Sequence, residues 1–447
     1  MANKLLIRLY NVGLGDCIYV RIPAESPAKP DFHILIDCGT LGETQLVSKA
    51  IKDLETNMLP LNENSGKRRL DLLVATHPHK DHIIGFDPGT FAKIEIANIW
   101  LSPIMNPNHG QNKNIRQLQS NTMEAIKSIR ARGLALGQEF ELLASLFGLD
   151  RKGAELALTK TIPEKNNIEP KYVHAGNNSD ELGLNLPAQT KITVVGPENN
   201  IDYYYLGEEA AADFQGLSGF AQTFAQKQNR KKNPSPRNIS AHDFQILQSR
   251  MLSDAFAFAN LSSEVENNSS LVLLIEWRNK RLLFVGDAEW DEKFREGKHN
   301  AAWNVMWNKR KDLLNKPLDF LKIGHHGSVN ATPFLADEPA SHEVNQILNA
   351  ILPLPAAGKK PKAQAVASTL RGRYDVIPDT NLLIELGKRV KDQRVYKNAF
   401  AKISNFDFDA IPLYAEKEKA NLDKKQPYRT DFEKLLQKGE FVDITIK

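Results

Sequence analysis

The sequence Thr76-His77-Pro78-His79-Lys80-Asp81-His82 follows directly on the apolar run Leu70-Asp71-Leu72-Leu73-Val74-Ala75. The apolar run predicts a buried strand, so three histidines and an aspartate are expected at one edge of a sheet. Nitrogen and oxygen side chains grouped in this way are typical metal ligands. A chance match is expected in fewer than ~1 in 1,000 chains of this histidine content, so a metal site is favoured over three unrelated surface histidines.

The spacing within this stretch, which we name the histidine cluster (His77–His82), divides the ligands into two sets. His77 and His79 are two residues apart and point the same way from an extended segment, where they can bind one cation. Asp81 and His82 lie on the turn into the following helix and can reach a second cation. The cluster therefore predicts a site with two metal ions.

Two other predicted strands end in residues that ligate metals. The strand through Val285 leads to Asp287, and the strand through Ile323 leads to His325 and His326. Taken alone, Asp287 would be interpreted as a turn aspartate and the histidine pair as capping or core residues. Because strand ends of packed sheets converge on one edge, we expect these residues to meet the histidine cluster.

The remaining strand pattern predicts two hairpins. The runs 5–12 and 17–22 are rich in β-forming residues and are joined by the glycine-containing turn 13–16. A second hairpin is predicted from Ser270–Trp277 and Arg281–Asp287. Helical periodicity is found in 44–58, 114–150 and 342–352, so the sequence predicts a mixed α/β (α+β) fold.

These segments together resemble the metallo-β-lactamase superfamily, and within it the branch similar to the hydrolase domain of the DNA-uptake protein ComEC. The resemblance implies a four-layer αββα sandwich with a dinuclear metal site at one edge of the sheets. It is carried by Asn11–Asp16, Leu35–Gly39, the histidine cluster, Asn268–Val272, Phe284–Ala288, Gly324–Ser328 and Ala367–Thr369.

The resemblance implies a role for each residue around the first metal. His77 and His79 would hold this metal, and Asp287 would bridge it to the second one. Asp37 resembles the carboxylate outside the ligand set that orients a ligand histidine. The first metal would have these few protein ligands and an open position.

The second metal would be held by Asp81, His82, Asp287 and one histidine of the 325–326 pair. His326 is favoured as that ligand, with His325 beside the substrate, although the opposite assignment remains open. Asp81 is also placed to accept a hydrogen bond from the nucleophile. Asp81 and His325 are therefore the candidate catalytic residues.

The chain departs from the family pattern at several positions. Asn11 and Leu14 replace an aspartate and a glutamine that are usual in the glycine turn, and both are tolerable in a hairpin. Many members of the superfamily place another metal-binding histidine between the cluster and the bridging aspartate. His109 and His174 lie in that interval, but neither follows a predicted strand in the expected way.

The expected chemistry is metal-dependent hydrolysis by a metal-bridging hydroxide, because two cations lower the pKa of a shared water. Zn²⁺ is the expected metal for histidine-rich ligation, and Mn²⁺ is the alternative because carboxylates contribute. The leading hypothesis is a phosphodiesterase or nuclease acting on nucleic acid or another phosphodiester. The alternative is hydrolysis of a small ester, a lactone or a phosphorylcholine-type substrate at the same dinuclear site.

Candidate substrate-binding residues follow the last predicted strand of the site. Ser368 lies at its end, and Arg371 and Arg373 come shortly afterwards, where guanidinium groups suit phosphate oxygens. Solvated loop arginines are an equally good interpretation. The basic stretch 226–237 is favoured as a solvated loop over a phosphate-binding arm, because it has no interleaved aromatic residues.

The composition is that of an ordinary globular protein. The 447 residues are 41% hydrophobic and 25% charged, and the net charge of +4 indicates no strong attraction to nucleic acid or membranes. No run is long and apolar enough to cross a bilayer, and protein partners are not indicated. Cys17 and Cys38 lie in apolar, strand-like segments, which suits buried thiols in a reducing compartment and predicts a cytoplasmic protein.

The organisation predicted is one large hydrolase domain followed by a tail. The domain is expected at residues 1–410, with a helical insertion at about 110–188 and a second insertion at about 198–262. Residues 411–447 are expected to form a C-terminal extension.

Overall fold

The computed structural model describes residues 4–111, 116, 120, 151–204, 263–297, 300–369, 377–390 and 440–447. These residues form helices and three mixed sheets, so the α+β fold class predicted from the sequence is confirmed. Much of the predicted helix 114–150 and the basic stretch 226–237 lie outside the described residues. Within the described part of the chain, no helix has the length and hydropathy of a bilayer-crossing segment.

The first sheet has seven strands in the order β15-β1-β2-β3-β6-β8-β9. Strands β1 and β2 pair antiparallel across the glycine turn, which confirms the first predicted hairpin. Strands β3, β6, β8 and β9 run parallel to one another, so their carboxyl ends lie at the same edge. The strands are β1 (Leu5–Tyr10), β2 (Cys17–Ile22), β3 (Phe32–Cys38), β6 (Leu72–Ala75), β8 (Ile99–Leu101), β9 (Lys171–Tyr172) and β15 (Phe441–Ile446).

The second sheet has five strands in the order β10-β11-β12-β13-β14. The antiparallel pair of β11 and β12 confirms the second predicted hairpin. Strands β12, β13 and β14 run parallel, again with their carboxyl ends at one edge. The strands are β10 (Thr190–Gly196), β11 (Val272–Trp277), β12 (Lys280–Phe284), β13 (Phe320–Ile323) and β14 (Gln364–Ala367). A small third sheet contains β4 (Leu61–Asn62), β5 (Lys67–Leu70) and β7 (Ile94–Ile96).

Helices connect and cover the two larger sheets. The α-helices of the described chain include α1 (Thr44–Asp53), α2 (Lys80–Ile83), α3 (Arg151–Leu156), α4 (Ile162–Asn166), α5 (Ala302–Leu314), α6 (Glu343–Ile351) and α7 (Thr380–Arg389). Residues 263–268 are also helical. Shorter 3₁₀ and π segments include Leu54–Met58, Pro103–Met105, Ala157–Thr161, Ile201–Tyr204 and His325–Gly327.

Three apolar clusters show how these layers are packed. One cluster combines side chains of both large sheets, such as Val74 of β6 and Phe284 of β12, and therefore lies between the sheets. A second joins the first sheet to α1 and α3, and a third joins the second sheet to α5, α6 and α7. Each sheet thus buries one face against the other sheet and the opposite face against helices, which is the arrangement that removes most apolar surface from water.

Candidate metal centre

The predicted site residues follow four strand ends. Asp37 is the penultimate residue of β3, and His77 comes two residues after β6. Asp287 follows β12, and His325 and His326 follow β13. The carboxyl ends of these parallel strands meet where the two sheets face each other, so residues far apart in sequence converge on one buried site.

The first group of residues that could hold a metal ion contains His77, His79 and Asp287. Their candidate ligand atoms all lie within 4.8 Å of one another, and all three side chains are buried. His77 Nε2 is 3.0 Å from His79 Nδ1 and 3.8 Å from Asp287 Oδ2. Two ring nitrogens that face each other at this distance are suitably placed to share a cation.

The second group contains Asp81, His82, Asp287 and His326, whose candidate ligand atoms also lie within 4.8 Å of one another. His82 Nε2 is 3.2 Å from Asp287 Oδ2, and His326 Nε2 is 2.8 Å from Asp81 Oδ2. Asp287 belongs to both groups. It is His326, and not its neighbour His325, that lies among these candidate ligands in the described part of the chain.

Hydrogen bonds around Asp37 determine which ring nitrogen of His82 carries a proton. Asp37 accepts from the backbone N–H and the hydroxyl of Thr76, both at 2.7 Å, and His82 Nδ1 lies 2.7 Å from Asp37 Oδ2. A carboxylate can only accept, so the proton of neutral His82 is on Nδ1. The lone pair on Nε2 therefore points towards Asp287 and the second metal group.

Hydrogen bonds to the outer ring nitrogens also determine the tautomers of His77 and His326. The Thr76 hydroxyl gives its only hydrogen to Asp37, so His77 Nδ1, 3.1 Å away, must donate to it. His326 Nδ1 lies 2.8 Å from the carbonyl oxygen of Ser368, which also only accepts. In both histidines the lone pair on Nε2 is consequently turned into the site, as metal ligation requires.

Buried polar atoms without a hydrogen-bond partner among the described residues include His82 Nε2, which faces the Asp287 carboxylate, and Asp81 Oδ1. An orphaned nitrogen lone pair and an orphaned carboxylate oxygen would each cost free energy in a buried site. A bound cation would satisfy both atoms, so the residues present fit a metal ion.

The charges in the site shift the pKa values in the direction that favours a cation. Burial alone would lower the pKa of His82, but Asp287 and Asp37 outweigh burial and raise it well above its ordinary value. Burial would raise the pKa of Asp287, but His82 outweighs it, and the pKa lies well below the ordinary value. The pKa of His77 is lowered by burial and by His82. Positive charge is therefore stabilised between the histidines and Asp287.

His325 occupies a different position from His326. Its side chain is one-fifth exposed, and its Nδ1 lies 3.3 Å from Glu289 Oε1. Its backbone N–H donates to Asp287 Oδ1 at 3.0 Å. Burial would lower the pKa of His325, but Glu289 and Asp287 outweigh it and raise the pKa to about 9. The imidazole thus stands at the rim of the site, backed by a carboxylate.

Several of these residues have unusual backbone conformations. Asp37, His325 and His326 all have positive φ angles between 41° and 56°, in the left-handed region that costs non-glycine residues free energy. Such conformations persist where surrounding contacts determine them, and all three residues lie at the candidate site.

The glycine turn between β1 and β2 packs against the histidine cluster. A Cβ atom at Gly15 would lie 2.8 Å from the carbonyl oxygen of Asp81, and one at Gly39 would lie 2.4 Å from the backbone nitrogen of His82. Only glycine permits this approach. Asp16 N–H then donates to the carbonyl oxygen of Asp81 at 3.0 Å. Both glycines therefore let the β1–β2 turn and the end of β3 support the ligand-bearing helix α2.

Sequence reasoning missed several buried charged residues next to the site. Glu266 Oε2 lies 3.1 Å from His79 Nε2 and 2.8 Å from an Arg151 nitrogen. Burial would raise the pKa of Glu266, but Arg151 and His79 outweigh it and lower the pKa to about 2. Lys322 Nζ donates to Asp16 Oδ2 at 2.9 Å between the two sheets. No local pattern marks these three contacts in the sequence, because the two residues of each contact are distant along the chain.

Glu289 was also missed, although it carries a sequence signal. It lies two residues after Asp287 and accepts from the side-chain amides of Asn267 at 2.9 Å and Asn268 at 3.2 Å. Asn268 begins the segment Asn268–Val272, which is one of those that carry the resemblance described from the sequence. Acidic residues spaced two apart after a strand end could have identified it as part of the site.

The remaining predicted residues lie elsewhere. His109 Nε2 is 3.0 Å from the carbonyl oxygen of Asn199, and His174 Nδ1 is 3.0 Å from that of Ala175. Neither histidine belongs to a candidate metal group in the described part of the chain. Ser368 contacts His326 through its carbonyl oxygen. Arg371 and Arg373 lie outside the described residues.

A scan against known protein families and a search of curated proteins find no match to this chain.

Proposed function

We propose that this protein is a metal-dependent hydrolase of the metallo-β-lactamase type that cleaves phosphodiesters at a dinuclear centre. The observation that carries the proposal is the position of Asp287 Oδ2. It lies 3.8 Å from His77 Nε2 in one candidate group and 3.2 Å from His82 Nε2 in the other. A carboxylate between two sets of histidine lone pairs is suited to bridge two cations. The helix, sheet, sheet, helix packing of the apolar clusters supports the αββα arrangement.

The charge around the site supports two divalent cations. The described part of the chain has six buried carboxylates here and two buried side chains with a permanent positive charge, Arg151 and Lys322. Bound divalent ions would offset the excess negative charge, and buried charge without compensation is strongly unfavourable. The six carboxylates are Asp16, Asp37, Asp81, Glu266, Asp287 and Glu289.

The side chains of the centre have distinct roles in this proposal. Two bound cations would supply a water of lowered pKa as nucleophile and positive charge for the developing oxyanion. Asp81 Oδ1, which has no hydrogen-bond partner in the described chain, is available to accept a proton from that nucleophile. His325 has its Nδ1 towards Glu289, which leaves Nε2 as the nitrogen available to a substrate oxygen. Asp37 holds His82 in the ligating tautomer.

The metal content tests the centre itself. Protein stripped with a chelator and reloaded separately with Zn²⁺ and Mn²⁺ is expected to hold close to two ions per chain by elemental analysis. Histidine-rich ligation favours Zn²⁺, and the carboxylates make Mn²⁺ the second choice. Protein that retains no metal after both treatments would refute the dinuclear centre.

The substrate class is tested on each metal-loaded form. We expect bis(p-nitrophenyl) phosphate to be hydrolysed faster than p-nitrophenyl acetate, a simple lactone or p-nitrophenyl phosphorylcholine. Two-metal centres are well suited to stabilise both the attacking and the leaving oxygen of a phosphodiester. Turnover of the acetate or the lactone without cleavage of any phosphodiester would replace this proposal with the small-ester alternative.

A polymeric substrate is tested by salt. Cleavage of labelled single- or double-stranded nucleic acid should fall steeply between ~50 and ~200 mM salt, because each neutralised phosphate releases counterions. Cleavage of the small phosphodiester should change much less. The double substitution Arg371→Ala and Arg373→Ala is expected to weaken polymer cleavage and to leave metal content intact. Equal salt dependence for both substrates would argue against a nuclease.

A further inference from the structure

We infer that Glu266 is a positioning residue for the first metal group, that it holds His79 in the ligating tautomer, and that Arg151 holds Glu266 in place. The inference rests on the proposed function, because His79 is a ligand of the proposed metal centre. It adds a residue pair that lies outside both candidate ligand groups. Through this pair, the helical residues 263–268, which precede β11, contact a histidine of the candidate site.

The contact between Glu266 and His79 is enclosed on all sides. The Glu266 side chain is fully buried and the His79 side chain is 1% exposed, with Oε2 and Nε2 3.1 Å apart. A carboxylate can only accept, so Nε2 of neutral His79 carries the proton. The lone pair is then on Nδ1, which is the nitrogen that lies 3.0 Å from His77 Nε2. Glu266 thereby turns the correct nitrogen of His79 towards the metal position.

The facing nitrogens of His77 and His79 explain why the tautomer that Glu266 selects matters for metal binding. His77 Nδ1 must donate to Thr76, so the lone pair of His77 is on Nε2. Two lone pairs consequently face each other at 3.0 Å, and only a cation between them relieves their repulsion. Without the Glu266 acceptor, His79 could move its proton to Nδ1 and donate to His77 instead. That tautomer closes the first metal position.

Arg151 fixes the carboxylate that performs this task. Its guanidinium lies 2.8 Å from Glu266 Oε2 through NH1 and 2.6 Å from Glu155 Oε1 through Nε. Arg151 is buried and is the first residue of α3, whereas Glu266 is on the helical residues 263–268. The charge of Arg151 offsets that of Glu266 in a buried site, where an uncompensated carboxylate would be costly. Two segments outside the strand ends are thus joined behind His79.

The arrangement repeats the one on the other side of the centre. Asp37 backs His82 as Glu266 backs His79, so each candidate group has one histidine held by a buried carboxylate. Carboxylates in this position raise ligand basicity and fix ring orientation. Their loss generally weakens metal binding by about 10- to 100-fold. Loss of Glu266 should therefore weaken the first metal group and spare the second.

The test compares Glu266→Gln with the matched control Glu155→Gln in the full chain. The control removes the carboxylate that Arg151 contacts through Nε and keeps the one that it contacts through NH1. Two-bond ¹H–¹⁵N correlation spectra of metal-free protein, with His79 assigned by substitution, report its tautomer. We expect a proton on Nε2 in the wild type and in Glu155→Gln, and a detectable Nδ1–H fraction in Glu266→Gln.

Stepwise titration with Zn²⁺ against a chromophoric chelator provides the second measurement. Glu266→Gln is expected to weaken one binding step by about 10- to 100-fold and to leave the other step unchanged. Glu266→Asp keeps the charge opposite Arg151 but withdraws the oxygen from His79, so it should show the same selective weakening if Glu266→Gln does not fold. The inference is overturned if metal-free wild-type His79 carries its proton on Nδ1, or if the folded variants bind both ions as the wild type does.

The two measurements separate this inference from the proposed function. Wild-type protein that binds neither Zn²⁺ nor Mn²⁺ would refute the metal centre, whereas the tautomer of His79 would still decide whether Glu266 positions the ring. Loss of both binding steps in Glu266→Asp would contradict the inference, because it assigns Glu266 to one metal group only.

Discussion

At the scale of single residues, the candidate ligand histidines are held from outside so that the lone pairs of their neutral rings point inwards. Asp37, Thr76 and the Ser368 carbonyl oxygen each engage the outer ring nitrogen of one histidine. The inner nitrogens then approach the carboxylates of Asp81 and Asp287, which gives a buried region rich in acceptors. Bound cations would stabilise such a region.

Asp287→Ala should disable both metal positions, because Asp287 belongs to both candidate groups. We expect total metal affinity to fall by more than about 100-fold, the upper range for losing a partner outside the ligand set. His109→Ala and His174→Ala are controls from the same interval of the sequence and should retain wild-type metal content. Elemental analysis after dialysis measures all three variants. Metal loss in either histidine variant as complete as in Asp287→Ala would show that the interval does supply a ligand.

His33 provides a pH-dependent prediction away from the metal centre. It is buried beside Tyr19, whose hydroxyl lies 2.7 Å from its Nδ1, and burial together with Arg69 lowers its pKa to about 4. The unfolded chain binds a proton near pH 6.5, whereas the folded state resists it until about pH 4. Folding stability should therefore fall as pH decreases through this window, and the stabilising contribution is fully present above it.

The measurement is urea unfolding of wild type and His33→Gln at pH 7 and pH 4.5. The wild type should lose about 2 kcal/mol more than the variant between these pH values, because glutamine cannot take up the proton. An identical pH dependence of the two proteins would show that folding does not lower the pKa of His33.

At the scale of elements, a buried ion pair ties the two sheets together beneath the site. Lys322 of β13 donates 2.9 Å hydrogen bonds to Asp16 Oδ2 and to the carbonyl oxygen of Ile323. Lys322 and Asp16 are 1% and 2% exposed. Asp16 belongs to the turn that supports Asp81, so this pair fixes the second sheet relative to the histidine cluster.

Lys322→Met is expected to lower the free energy of unfolding by about 3–5 kcal/mol, because it leaves the Asp16 carboxylate buried without its cation. Adding Asp16→Asn should recover a large part of this loss, since the uncompensated charge is then removed. Urea unfolding of the two single variants and the double variant forms a double-mutant cycle that measures the coupling. Losses that simply add in the double variant would mean that the two side chains do not depend on each other.

At the scale of the whole molecule, the two ends of the described chain form one edge of the first sheet. Strand β15 pairs antiparallel with β1 from Leu5 opposite Ile446 to Tyr10 opposite Phe441. Arg8 contacts Asp443 at 2.7 Å through two nitrogens, contacts Asp53 of α1 at 2.6 Å, and lies over the ring of Phe441. A segment predicted as part of a C-terminal extension thus completes the sheet that carries the histidine cluster.

Deletion of residues 441–447 should destabilise the whole protein. It removes four buried apolar side chains, Phe441, Val442, Ile444 and Ile446, and exposes the edge of β1. At about 1.5–3 kcal/mol for each buried side chain, we expect a loss of about 5 kcal/mol or more. Deletion of the exposed Lys447 alone is the control. Equal urea midpoints for the two truncated proteins would show that β15 adds nothing to the stability of the sheet.

The sequence alone was sufficient for both hairpins and for the candidate ligands at the strand ends, although Glu289 was missed in spite of its local signal. Alternation and turn residues predicted both hairpins, and apolar runs followed by histidine or aspartate predicted the strand ends at which His77, Asp287 and His326 lie. These signals are local, because a strand and the residue after it are adjacent in the chain. The class of fold and the candidate ligand groups follow from them.

Asp37 was identified from the sequence, but only the tertiary structure identified the other buried charged residues around the candidate ligands. Glu266 contacts His79, Arg151 contacts Glu266, and Lys322 contacts Asp16. The two residues of each pair are 115 to 306 positions apart in the sequence and belong to different parts of the fold that pack on the site. A lone glutamate or lysine has no periodic pattern that marks it as buried, and composition predicts that it is exposed. Its role is decided when two sheets pack face to face and the buried charge must find a partner of opposite sign.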